Sequence, residues 1–220
     1  MKKSKDNKVE FHEDTHSYIL EGKKLTSVTQ YISEFKAPFD TERIAGDYAR
    51  KRALTKEYVI KMWKDKAEKS CKIGTYIHSV FEDYILNVYH KSKDYPKKES
   101  AYSVIDDLFK SGRLTPVEAE YIVYNEKYAG QIDCIAKNKK GEHFILDWKT
   151  NNKIDFFNNW QKMLGKYSCF DDCSFNNYSI QLNAYRELCK DYDIKACYIV
   201  HITDNGYKFI KVKDLNINLN

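Results

Sequence analysis

Apolar residues return in two rhythms along this chain. From Ser70 to His90, Ile73, Ile77, Val80, Phe81, Tyr84, Ile85 and Val88 recur at helical intervals, which predicts an amphipathic helix. Apolar runs at about 119–127, 130–137 and 143–149, split by turn-like residues, read as a meander of three strands. Further helices are expected over 101–111 and 176–191. Two last strands near 195–203 and 207–212 flank "DNG", a strong hairpin turn. Residues 8–20 alternate as a hairpin turning at "EDTH", and "TSVTQYISEF" opens a helix with Ser or Thr as its N-cap. Residues 41–66 are charged, aromatic and helical in period.

This order predicts an α/β (or α+β) domain: a central mixed β-sheet flanked by helices, with a helical N-terminal region. The 220 residues fit one domain, with 1–69 as N-terminal hairpin and helices and 70–215 as the core. A Gly inside a helix costs about 1 kcal/mol against Ala. Gly74 in the 70–90 helix is therefore expected to admit another backbone closely.

Composition narrows the partners. A charged fraction of 31% beside 42% hydrophobic residues is that of a folded protein. Lys and Arg number 37 against 32 acids, an excess that permits a polyanionic partner without demanding one. Lys51, Arg52, Lys56, Lys61 and Lys64 form a basic region, either a solvated face or a DNA contact. The 18 Tyr and 11 Phe supply rings that either pack or stack on bases. No apolar run is long enough for a membrane helix, and the basic "MKKSKDNK" has no apolar stretch behind it. The expectation is a cytoplasmic protein, in a host cytoplasm if viral, that is not secreted. Six cysteines without a CxxC pair read as free thiols, mostly buried.

The unusual chemistry lies in "GQIDCIAKNKKGEHFILDWKTN". Asp133 interrupts one apolar run, and Asp147 ends the next with Lys149 two residues on. If the two strands are antiparallel neighbours, the carboxylates lie side by side. One is then driven to protonate unless a cation joins them. A divalent metal with hard oxygen ligands resolves this. A buried Asp–Lys pair plus an Asp bonded to backbone is the alternative.

The ordered set "GTYIH" (74–78), "GQID" (130–133), "DWKT" (147–150) and "QLNAY" (181–185) resembles the PD-(D/E)XK nucleases and their RecB-like branch. "YAGQIDCIA" with "FILDWKT" is most similar to the mitochondrial genome maintenance exonucleases and their phage relatives. The resemblance implies a restriction-endonuclease-like core over about 70–215. By the same resemblance, His78, Asp133, Asp147 and the Trp148 carbonyl would hold Mg²⁺ or Mn²⁺, and Lys149 would position the attacking water. Glu120 would be an outer or second-metal acid, with Glu118 as its competitor. Gln181 and Tyr185 would brace the site and touch DNA, and Thr150 would bond near the scissile phosphate. Some RecB-like nucleases carry an iron–sulfur cluster. Here Cys71 precedes the core, but only Cys189 and Cys197 follow Tyr185, and Cys169 and Cys173 precede the helix, so no cluster is expected. His12 and His16 read as loop residues, while His90, His143 and His201 have no assignment.

The resemblance thus implies a metal-dependent exonuclease acting on single-stranded DNA or DNA ends, with Lys51 and Arg52 as candidate strand contacts. A structure-specific endonuclease, an RNA nuclease and a nucleic-acid-binding module without catalysis are the alternatives. Recombination or replication proteins are the expected partners, and a virus or mobile element the expected setting.

Overall fold

The first strands grow from short alternating segments. In a computed structural model describing residues 2–89 and 93–219, β1 (Lys2–Lys3), β2 (Val9–His12), β3 (Ser17–Leu20) and β4 (Lys23–Ser27) form an antiparallel meander. The β2–β3 turn is the expected "EDTH". Ser27 then caps α1 (Val28–Ser33) through a capping box in which Ser27 and Gln30 exchange hydrogen bonds. Next come α2 (Thr41–Lys51) and α3 (Lys56–Ile85), then α4 (Lys98–Val104), which runs into a π-helical turn at Ile105–Lys110. The meander β5 (Thr115–Tyr124), β6 (Tyr128–Lys137) and β7 (His143–Lys149) follows. A short 3₁₀ turn, α5 (Ser174–Leu188), β8 (Ile194–Thr203) and β9 (Gly206–Lys211) complete the order.

All nine strands among the described residues join one mixed sheet. β6 is its hub: antiparallel to β5 and β7, and parallel to β4 at Thr26–Tyr128 and Ser27–Ala129. β7 and β8 run parallel, and β9 returns antiparallel at the edge. Alternation then sorts two cores. Ile135, Ile145 and Ile199 pack with Ile180, Leu182 and Leu188 of α5. Cys134, Leu146, Trp148 and Val200 pack with Ile77, Val80 and Phe81 of α3. Each fully buried Ile or Leu contributes about 1.5–3 kcal/mol. The protein is therefore α/β, with helices on both faces of a mixed sheet.

Several expectations shift. The helix expected over 70–90 begins at Lys56, so α3 runs through the anticipated 69/70 boundary and unites the two regions. Its first half buries only Val59, against Ala45 and Ala49 of α2. It ends at Ile85, and His90 lies outside the described residues. β5 starts at Thr115, ahead of the expected 119, because Pro116 and Glu118 bracket a bulge that still pairs with β6. All six cysteines are free, four of them buried. No helix among the described residues is long and apolar enough to cross a membrane.

Candidate metal and catalytic centre

Where β6 and β7 part, the ladder leaves two acids. The last pair is Cys134–Leu146, so Asp133 and Asp147 come next on diverging strands. Asp133 Oδ2 accepts the Trp148 N–H at 2.7 Å, which fills the gap left by the ladder. Asp147 is buried, and Lys149 Nζ stands 2.7 Å from its Oδ2. The ammonium is that oxygen's partner in this buried setting. Lys149 Nζ also lies 4.8 Å from the Tyr178 ring centroid. The alternative foreseen from sequence, an Asp–Lys pair plus a backbone-bonded Asp, describes these contacts.

Other elements converge on Asp133. From α3, His78 Nδ1 lies 3.7 Å from Asp133 Oδ1 and 3.8 Å from Glu120 Oε1. Glu120 occupies φ 49°, the left-handed region that costs a non-glycine residue about 1–3 kcal/mol and collects at functional sites. Gln131 Nε2 donates to the Glu120 carbonyl at 3.1 Å and helps hold that conformation. Glu118, the competitor for this role, pairs instead with Lys5 and Tyr192.

His78, Glu120 and Asp133 thus form a cluster whose ligand atoms all lie within 4.8 Å of one another. One imidazole nitrogen and two carboxylates suit a hard divalent cation such as Mg²⁺ or Mn²⁺. The second imidazole nitrogen fits as well. Nε2 is 3.1 Å from the Trp148 carbonyl, which assigns Nε2–H as donor and turns Nδ1 to the carboxylates. The Trp148 carbonyl, expected as a metal ligand itself, is the partner of His78 Nε2 here. Asp147, expected as a direct ligand, is outside the cluster and faces Lys149. Glu120, expected as an outer acid, is inside it.

Charge follows from this crowding. Burial alone would lower His78, but Asp133 and Glu120 reverse that and lift it to about 9. Burial, aided by Asp133, pushes Asp147 up to about 6 against the pull of Lys149. Burial would lower Lys149, but Asp147 and Asp133 raise it above its ordinary value, so it is an ammonium here.

These groups line a cavity of about 520 Å³, with Gln181 and Tyr185 of α5 on its wall. Gln181 Nε2 donates to the Tyr185 hydroxyl at 2.9 Å. Tyr185 lies against Gly130: a Cβ there would be 2.3 Å from the ring, so this close approach demands glycine. Gly74 does not share that demand, since a Cβ there would meet Thr150 Oγ1 at an ordinary 3.5 Å. Thr150 is not among the residues lining the cavity, and its carbonyl accepts from Lys97. Lys51 and Arg52 also stay away from the lining; Arg52 stacks 3.9 Å over Tyr48. Sequence reading missed Glu82 and Lys2, which do line it. Glu82 was findable, being one helical turn after His78.

No family model and no curated protein matches the chain. A solved structure described as "Crystal structure of SSO0001" is similar at 15% identity and a TM-score of 0.29 over 67% of this chain. The chain spans about 65% of that structure's length.

Proposed function

We propose that the protein is a metal-dependent deoxyribonuclease, an exonuclease that hydrolyses phosphodiester bonds in single-stranded DNA or at free DNA ends, acting in the cytoplasm of its cell or host. The observation that carries this reading is one cavity holding both the His78–Glu120–Asp133 cluster and the Asp147–Lys149 pair. The ordered motifs shared with PD-(D/E)XK nucleases support it further.

A Mg²⁺ or Mn²⁺ held by His78, Glu120 and Asp133 would lower the pKa of its water and offset charge on a phosphate oxygen. The chain supplies the rest. Lys149 donates a hydrogen bond to the phosphate or to the attacking water. The water oxygen bonds to phosphorus as a phosphorus–ester oxygen bond breaks. Asp147 takes the proton that the water gives up, and the departing oxygen is protonated from solvent. Tyr185 and Gln181 form a rigid wall against which the strand lies.

Single strands are favoured because exposed rings are available for unpaired bases. Phe157 is 76% and Trp160 95% exposed in the loop after β7.

The test is a labelled linear single strand incubated with Mg²⁺ or Mn²⁺. Wild type is expected to shorten it, whereas Asp147→Ala and Lys149→Ala leave it intact yet still bind it. An intact strand with wild type in both metals refutes the nuclease reading. Cleavage of circular single strands would establish an endonuclease instead.

A further inference from the structure

Lys2 lines the cavity and has no part in the chemistry above. Its Nζ lies 2.7 Å from Glu82 Oε1 and 3.6 Å from Glu120 Oε2. Glu120 therefore faces two ways, Oε1 towards His78 and Oε2 towards this ammonium. A carboxylate shared between two cation positions is how paired-cation centres are built.

The strap that carries Lys2 is anchored on both sides. Lys3 pairs with Glu10 at 3.0 Å, Ser4 and Val9 exchange hydrogen bonds at 2.9 Å, and Lys5 reaches Glu118 at 3.1 Å. Lys2 is thus delivered to Glu82 and Glu120 by a strap held in place on its own account. The local charge balance makes its ammonium matter. Glu13, Glu82, Glu120, Asp133 and Asp147 line the cavity against the ammoniums of Lys2 and Lys149.

We propose that Lys2 is a positioning residue, a tethered ammonium that fills the second cation place beside Glu82 and Glu120 and limits the centre to one divalent ion. This rests on the metal reading of His78, Glu120 and Asp133. Removing Lys2 frees Glu82 Oε1 and Glu120 Oε2, two hard oxygen donors, for a second ion.

The experiment is Mn²⁺ titration of the full chain, following the paramagnetic resonance of free Mn²⁺. Wild type and Lys2→Arg are expected to bind one Mn²⁺ per chain. Lys2→Ala is expected to bind two, and Lys2→Ala with Glu82→Ala to return to one. One ion in Lys2→Ala, or two in wild type, overturns the proposal. If wild type binds none, the metal reading itself fails, a distinct outcome. Lys2 sits on a two-residue edge strand, and a melting curve for each variant shows that the fold is kept.

Discussion

At the scale of single residues, His78 and Asp147 tie the stability of the fold to pH. His78 is raised from 6.5 to about 9, so the stability it contributes is full below pH 6.5 and is lost as pH rises through 9. Asp147 is raised from 3.8 to about 6, so its ionisation costs stability as pH rises across that lower window. Scanning calorimetry in a chelator should show the melting temperature falling between pH 6.5 and 9. His78→Gln should flatten that fall, and Mn²⁺ should reduce it by taking the proton's place. Asp147→Ala should lower the cleavage rate by at least about a hundredfold, the contribution of a positioned proton acceptor, measured in single-turnover assays. Asp133, Asp147 and Lys149 were legible because charge stands out in or beside apolar runs, whereas only the family resemblance pointed to His78 and Glu120. Lys2 was not legible, because its contact with Glu82 spans 80 residues and leaves no local pattern. The resemblance pointed to Asp147 beside His78 and Asp133, whereas Glu120 is the acid that clusters with them. That turns on the left-handed bend at Glu120, which no residue type announces.

Elements position these residues through a few close fits. Gly130→Ala should destabilise by about 1–3 kcal/mol through overpacking against Tyr185. Gly74→Ala, in the open middle of α3, should be neutral or stabilise by up to about 1 kcal/mol. Urea unfolding of the pair checks both signs. Trp160→Ala should weaken single-strand binding by about 1–3 kcal/mol, the worth of one stacked base, without changing cleavage of bound substrate. Fluorescence anisotropy separates that loss from an unaltered turnover. β6 and β7 were readable as short apolar runs bounded by turn residues. The continuity of α3 was hidden because its first half buries only Val59, packing on α2 rather than on the sheet.

Across the whole molecule, strands and helices distant in sequence meet at the split between β6 and β7 to line the cavity. The parallel joint of β4 with β6 brings the N-terminal meander to the cavity, so Phe11, His16 and Tyr18 share its wall with the catalytic candidates. Two paired residues make that joint, too few to leave a signature in the sequence, whereas the α/β class was readable from the order of elements. The most direct test is the release of nucleotide from uniformly labelled linear single-stranded DNA with Mn²⁺, comparing wild type with Asp133→Ala. Wild type is expected to release nucleotide, with release stopping on chelation and absent in Asp133→Ala. Release that persists in chelator or in the folded variant, or none from wild type, would contradict it.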